Sequence, residues 1–294
     1  MTGLESIILG AVQGLTESIP VSSSGHLVLA QHVLQGASEH SFLEFINIGT
    51  LLALLVYFRQ RIISIVRSVI VDKNTILLRN ILLTSIPAGA EDITQKYCVF
   101  VYNNTILLRN ILLTSIPAGA VGYFLSDFID HSSFFTSVFV VVVALATVGV
   151  IMILLDHFPH LSRARSGEEL SWKRALGVGI AQMFALIPGV SRSGSTIIAG
   201  RIAGLSHADA AEYSFLASIP IMLAVTLKLF IKSSDRAYFV EHMPTLLLGN
   251  LVAFITGLLA IGFLLRYLSK HDLKVFGWYR VGLAAVVLAV LLIQ

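Results

Sequence analysis

The chain has 294 residues, of which 56% are hydrophobic and only 13% charged, against roughly 25% charged in an ordinary soluble domain. With a mean hydropathy of +0.85, that composition excludes disorder and points away from a soluble globule toward a polytopic α-helical membrane protein. The formal net charge of +3 comes from Lys and Arg in short loops between apolar runs, where topology signals belong, so nucleic acid is not an expected partner.

The apolar runs lack the alternation of a transmembrane β-barrel. One cysteine, Cys98, leaves no basis for a disulfide framework. Met1–Glu5 carries no basic region ahead of its apolar stretch and does not read as a cleavable signal peptide. The stretch Leu4–Leu34 is apolar yet interrupted by Pro20 and by Ser22-Ser23-Ser24-Gly25. Irregular backbone at membrane depth is tolerated only where it is buried in protein or lines a wet cavity. Pro20 ends one helix, and the serines are natural N-caps for the next, starting near Ser24. The N–H groups and positive dipole end of that helix suit a phosphate. Glu17, a carboxylate at this depth, is a functional candidate. Ser23 and His26 are three apart, so on a helix one can act on the other. A hydroxyl beside an imidazole, with a carboxylate nearby to tune the base, is the minimal set for nucleophilic attack. A serine-rich cap with a polar interior histidine is the alternative reading.

Phe42–Phe58 reads as a span, with Glu44 and Asn47 able to face one cavity. The basic loop Arg59–Lys73 should be cytoplasmic. Asn74–Ala90 then recurs, identical over seventeen residues, as Asn104–Ala120. Two crossings would invert everything downstream, so one copy is expected to span, as Ile106–Leu125, with the other copy and Glu91–Lys96 displaced to a surface. The connector Ser126–Ser133 holds Asp127 and Asp130 but no Lys or Arg, which suits the outer face. Phe134–Leu155 is the next span, and the basic loop Asp156–Arg174 is again cytoplasmic.

A second broken stretch, Ala175–Leu205, contains Pro188-Gly189-Val190-Ser191-Arg192-Ser193-Gly194-Ser195-Thr196. It repeats the helix stop, Ser/Gly turn and new helix start, with an arginine at the tip. A guanidinium binds two phosphate oxygens through its planar fork and keeps its charge on burial. Ser214–Ile231, Thr245–Leu265 and Val275–Ile293 complete about six spans. Arg201 is open between cavity and structural roles, and Arg280 is expected to snorkel beside an aromatic belt at Gly277-Trp278-Tyr279. Gln13, Val21, Ser22, Ser24 and Gly25 align without a gap on Gln182, Val190, Ser191, Ser193 and Gly194. Loop charge places the two copies in opposed orientations, the pattern of an inverted-topology repeat with a site near the bilayer midplane. The expected fold is therefore all-α: a polytopic integral membrane protein with two broken re-entrant helix pairs. It forms one membrane domain over 1–294, divided into a first repeat (1–73), a duplicated insert (74–103), spanning helices and loop (104–174) and a second repeat (175–294). A transporter or flippase of lipid phosphates or anions would use the same features. The Ser23, His26 and Glu17 cluster favours hydrolysis.

Gln13-Gly-Leu-Thr-Glu17-Ser-Ile-Pro-Val-Ser-Ser-Ser-Gly-His26 and Pro188-Gly-Val-Ser-Arg192-Ser-Gly-Ser-Thr196 resemble the two signatures of the undecaprenyl-diphosphatase, or bacitracin resistance protein, family. The resemblance covers nearly the whole chain apart from the duplication. It implies a multi-pass phosphatase of the bacterial plasma membrane that converts undecaprenyl diphosphate to the monophosphate carrier of peptidoglycan synthesis and confers bacitracin resistance. It places Glu17, Ser23, His26 and Arg192 on the catalytic set, leaving Ser23 and His26 open as nucleophile. Gln13, Ser22, Ser24, Gly25, Ser191, Ser193, Gly194 and Thr196 fall on substrate-binding positions. No residue is assigned as a metal ligand. A Mg²⁺ or Ca²⁺ ion arriving with the diphosphate stays open, although Gln13 is the amide form of a position that can be Glu, which weakens a two-carboxylate scheme. The expected partners are the polyprenyl diphosphate and membrane lipids, and a homodimer stays open.

Overall fold

A computed structural model describes residues 1–33, 40–69, 91–125, 128, 132, 134, 137–155, 157, 166–231 and 233–293. All regular structure among them is helical, and five helices are long and apolar enough to cross a membrane. The first copy of the duplication, Asn74–Ala90, lies outside the described residues, as do Asp72, Lys73, Asp127, Asp130, Arg163 and Arg165 of the loops on which the expected topology depends.

The first broken stretch folds as α1 (Gly3–Ser18) and α2 (Ser23–Val33), joined by a turn. Thr2 and Glu5 form a capping box at the start of α1. Two short helices follow, α3 (His40–Phe45) and α4 (Asn47–Tyr57), and then α5 (Arg59–Arg67), bent by 67° from the helix before it. The expected span Phe42–Phe58 is thus the first limb of a bent pair, and the pair makes a sixth crossing only if counted as one unit. The bend falls where the apolar run ends and Arg59-Gln60-Arg61 begins, because those side chains need a polar surface.

The second copy of the duplication sits within α6 (Glu91–Phe124), so this copy forms a span, Val99–Phe124. One face of α6 carries a buried polar stripe. Asn104 donates to Ser68 Oγ (2.9 Å), Asn110 to the carbonyls of Gly167 (3.1 Å) and Leu170 (2.8 Å), and Thr114 to that of Ala175 (2.9 Å). Between helices in a bilayer, where burial of apolar surface gives no drive, such bonds and close backbone approach hold the packing.

Next come α7 (Val138–Leu155), α8 (Trp172–Met183), a 3₁₀ turn (Phe184–Leu186) and α9 (Arg192–Ile202). The span read as Ser214–Ile231 begins earlier, as α10 (His207–Ile231), and runs unbroken through Pro220. A short α11 (Ser233–Glu241) leads into α12 (Met243–Leu268) and α13 (Lys274–Ile293).

The two broken stretches are packed alike. Helix α1 and its following span α4 both lie on α12, whereas α8 and α10 both lie on α6. Small residues make this possible. A Cβ at Gly10 would meet the Gly249 carbonyl oxygen at 2.4 Å, and one at Gly179 would meet that of Thr114 at 2.7 Å. Helix α7 pairs with α13 through Gly149 and Gly277 and touches both α2 and α9.

Candidate active site

Each broken stretch turns at a serine in the left-handed region, Ser22 at φ 75° and Ser191 at φ 74°. A β-substituted residue at positive φ is strained, so both turns are held by their surroundings. The Ser22 hydroxyl accepts from Gly25 N (3.3 Å), and that of Ser191 accepts from Gly194 N (3.1 Å). Each also lies 3.2 Å from the next serine hydroxyl, Ser24 or Ser193. The caps take the amides of Gly25 and Gly194, so these two glycines do not offer N–H groups to a phosphate. The earlier amides of α2 and α9, at Ser23, Ser24, Arg192 and Ser193, have no carbonyl one turn back and point out of the helix start. Gly189, at φ 95°, passes so close to α7 that a Cβ would lie 2.7 Å from the Val141 carbonyl oxygen.

The two tips meet. Gly189 N donates to Ser24 Oγ (3.3 Å), and Ser193 Oγ donates to the Glu17 carbonyl (3.2 Å). Arg192 forms an ion pair with Glu17 Oε1, with side-chain exposures of 21% and 12%, so neither charge is freely hydrated. The other oxygen, Glu17 Oε2, accepts from Ser23 Oγ at 2.6 Å and from Gln13 Nε2 at 3.0 Å. Gln13 Nε2 also donates to Asn47 Oδ1 (2.5 Å), which brings Asn47 into the cluster. A carboxylate that accepts from a serine hydroxyl can take its proton, and a guanidinium in contact with that carboxylate is within reach of the same reacting group.

His26 stands apart from this cluster. Its Nδ1 lies 2.7 Å from the Ser22 carbonyl and its Nε2 lies 2.7 Å from Tyr279 Oη. The expected partnership, in which Glu17 tunes His26 and His26 acts on Ser23, is therefore replaced: Glu17 holds Ser23 directly. The Ser22 carbonyl lies one helical turn below His26, and the bond to it turns the imidazole away from Ser23 toward α13.

Arg280 also departs from expectation. Its exposure is 0%, so it does not snorkel. It donates to the carbonyls of Pro20 (3.2 Å), Gly189 (2.6 Å), Val190 (3.1 Å) and Leu145 (3.4 Å). Both tips interrupt a helix and leave carbonyls without N–H donors, and a five-donor guanidinium is the side chain that can satisfy several at once. The sequence places Arg280 beside an aromatic belt and gives no sign of this role, because its partners are backbone atoms remote in the chain. Thr196 is fully buried with its hydroxyl 2.5 Å from Ser214 Oγ, so it joins α9 to α10 and does not line the tips. Arg201 turns back on the Leu205 carbonyl (2.7 Å) at the end of α9.

Among the described residues no three His, Cys, Asp or Glu side chains form a metal cluster. Glu17 is the carboxylate at the tips. Beside it, Gln13 Oε1 is buried and has no hydrogen-bond partner, an oxygen that fits a hard cation.

These features define a polytopic α-helical membrane protein whose candidate site is assembled from the joined tips of two helical hairpins. A profile of the family described as Bacitracin resistance protein BacA matches residues 6–286. The chain belongs to that family. It is 34% identical to an undecaprenyl-diphosphatase of Nitrosomonas europaea, over 97% of this chain and 93% of the relative. It is 35% identical to an undecaprenyl-diphosphatase of Clavibacter michiganensis, over 99% and 97%. The undecaprenyl-diphosphatase 1 of Clostridioides difficile is also 35% identical, over 97% and 94%.

Proposed function

We propose that this protein hydrolyses undecaprenyl diphosphate to undecaprenyl phosphate and inorganic phosphate in the bacterial plasma membrane, recycling the lipid carrier and conferring bacitracin resistance. One observation carries the assignment of residues: a single carboxylate, Glu17, accepts from Ser23 Oγ on one oxygen and pairs with Arg192 on the other. The hairpins enter from opposite leaflets, the polyprenyl tail lies among the spanning helices, and the diphosphate sits against the amides that open α2 and α9.

Ser23 Oγ attacks the terminal phosphorus while its proton passes to Glu17 Oε2. The bridging P–O bond breaks, and its electron pair leaves with undecaprenyl phosphate. Arg192 exchanges its hold on Glu17 for the phosphoryl oxygens and stabilises their charge in the transition state. Water then attacks the phosphoseryl phosphorus and gives its proton to His26 Nε2 as the Tyr279 hydroxyl turns off that lone pair. The serine oxygen leaves and recovers the proton held by Glu17, His26 gives its proton to the product, and inorganic phosphate departs. Where a Mg²⁺ or Ca²⁺ ion accompanies the diphosphate, Glu17 and Gln13 Oε1 would hold it, and it would supply further positive charge beside the phosphates.

Phosphate release from undecaprenyl diphosphate by the purified protein in detergent micelles tests this reading, because no transmembrane gradient exists there. Wild type is expected to turn over, with and without chelator recorded, and Ser23→Ala to lose about 10³-fold or more. An acid-stable phosphoryl group trapped on Ser23 would confirm the nucleophile, whereas an acid-labile one on His26 would transfer that role. Absence of phosphate release by wild type would leave the transporter reading in its place.

A further inference from the structure

The ring of Tyr279, on α13, lies parallel to that of His26 (interplanar angle 4°, centroids 5.7 Å apart), and its hydroxyl lies 2.7 Å from Nε2. The other ring nitrogen, Nδ1, is 2.7 Å from the Ser22 carbonyl, which can only accept. The proton of the neutral imidazole is therefore assigned to Nδ1, and Nε2 carries the lone pair. Every exchange of a proton by His26 passes through the one nitrogen that Tyr279 holds. A phenol both donates and accepts, so it can follow Nε2 from lone pair to N–H without leaving either form unpartnered.

We propose that Tyr279 is a positioning residue for His26: its hydroxyl orients the imidazole and favours the proton that His26 takes up during turnover. The inference rests on the phosphatase reading only for the use His26 makes of that proton. A hydrogen bond from a protonated imidazole to the phenol oxygen is charge-assisted and about twice as strong as the bond to the neutral ring, so Tyr279 stabilises the protonated form more. The surroundings offer no substitute. Burial and the positive charge of Arg280, from the same helix, both disfavour the protonated imidazole. Glu17 of α1 and Arg192 of α9 are engaged with each other, and Glu17 with Ser23. Helix α7 presents Val141 and Leu145 beside Gly25 at this point, with no titratable group. The sequence gives Tyr279 no distinction, since Gly277-Trp278-Tyr279-Arg280 reads as an interfacial belt.

Tyr279→Phe keeps the ring and removes the hydroxyl. The acidic limb of the pH profile of kcat is expected to move to lower pH by about 0.5–1 unit, with KM unchanged within about twofold. The thermal midpoint in detergent should stay within about 2 °C of wild type. In a His26→Asn background the same substitution should reduce kcat by less than about twofold, because its effect passes through the imidazole. ¹⁵N NMR of His26 in the full-length protein gives a readout independent of turnover, and its Nε2 titration should shift in the same direction. Superimposable pH profiles and titrations for wild type and Tyr279→Phe would overturn the proposal, as would a full loss persisting without His26. An inactive wild type would count against the phosphatase reading alone, since the NMR titration would still decide the role of Tyr279.

Discussion

The two hairpin tips share one backbone and differ in chemistry. Ser22 and Ser191 adopt the same left-handed conformation, cap the same third amide and touch the same following hydroxyl. At matching positions, however, Ser23 faces the role of Arg192, Glu17 that of Leu186, and His26 that of Ser195. One tip supplies a hydroxyl and its proton acceptor, and the other supplies a fixed positive charge. The amides matched across the repeat have diverged too: Gln13 binds Glu17 and Asn47, while Gln182 is buried with neither amide atom hydrogen-bonded. The two stretches thus share a way of bringing two helix starts together, while the hydroxyl, carboxylate and guanidinium are divided between them.

The largest effects should fall where the tips differ. Ser23→Ala and Arg192→Ala should each lower kcat/KM about 10³-fold or more, but in different ways. The serine variant should keep KM within about twofold, whereas the arginine variant should raise it, because only Arg192 also binds the ground-state phosphate. Steady-state phosphate release separates the two, and equal KM values in both variants would break the division of labour. Arg280 should matter to both tips together. Arg280→Met leaves at least three tip carbonyls buried without a donor and should cost about 3 kcal/mol, read as a lower thermal midpoint in detergent. Arg280→Lys should recover less than half of that, since one ammonium lacks the planar span of a guanidinium.

Smaller effects should be shared by the copies. Gly10→Ala and Gly179→Ala place a Cβ against backbone of the helix each hairpin lies on, and each should destabilise by about 1–3 kcal/mol, Gly10 more. At the turn itself, Ser22→Ala and Ser191→Ala should each cost about 1 kcal/mol through loss of the cap. Ser22→Gly and Ser191→Gly should each change stability by less than about 0.5 kcal/mol, because relief of the positive φ offsets the lost hydroxyl. A set of four thermal unfolding curves checks this, and a large difference between the two serines would show that the tips are not equivalent scaffolds.

Much of this arrangement is legible along the chain because local signals specify it. Pro20 and Pro188 stop helices, the serines that follow cap new ones, and long apolar runs mark α6, α7, α10, α12 and α13 as spans. The bend at the end of α4 was less visible, since apolar length alone does not say where a helix turns along a surface. The side-chain partners were less visible still. Spacing of three pairs Ser23 with His26 on an ideal helix, yet a carbonyl one turn below and a phenol from the last helix draw the imidazole elsewhere.

The amino-acid order alone determined the class of protein, the two broken stretches and the likeness of their turns, because hydropathy, helix stops and caps act over a few neighbouring residues. Only the tertiary structure decided that Glu17 serves Ser23 and Arg192 together, that Arg280 ties both turns from within, and that Tyr279 holds His26. Those pairings join atoms up to 260 residues apart in the chain, and they are selected by the need to satisfy every polar group withdrawn from water.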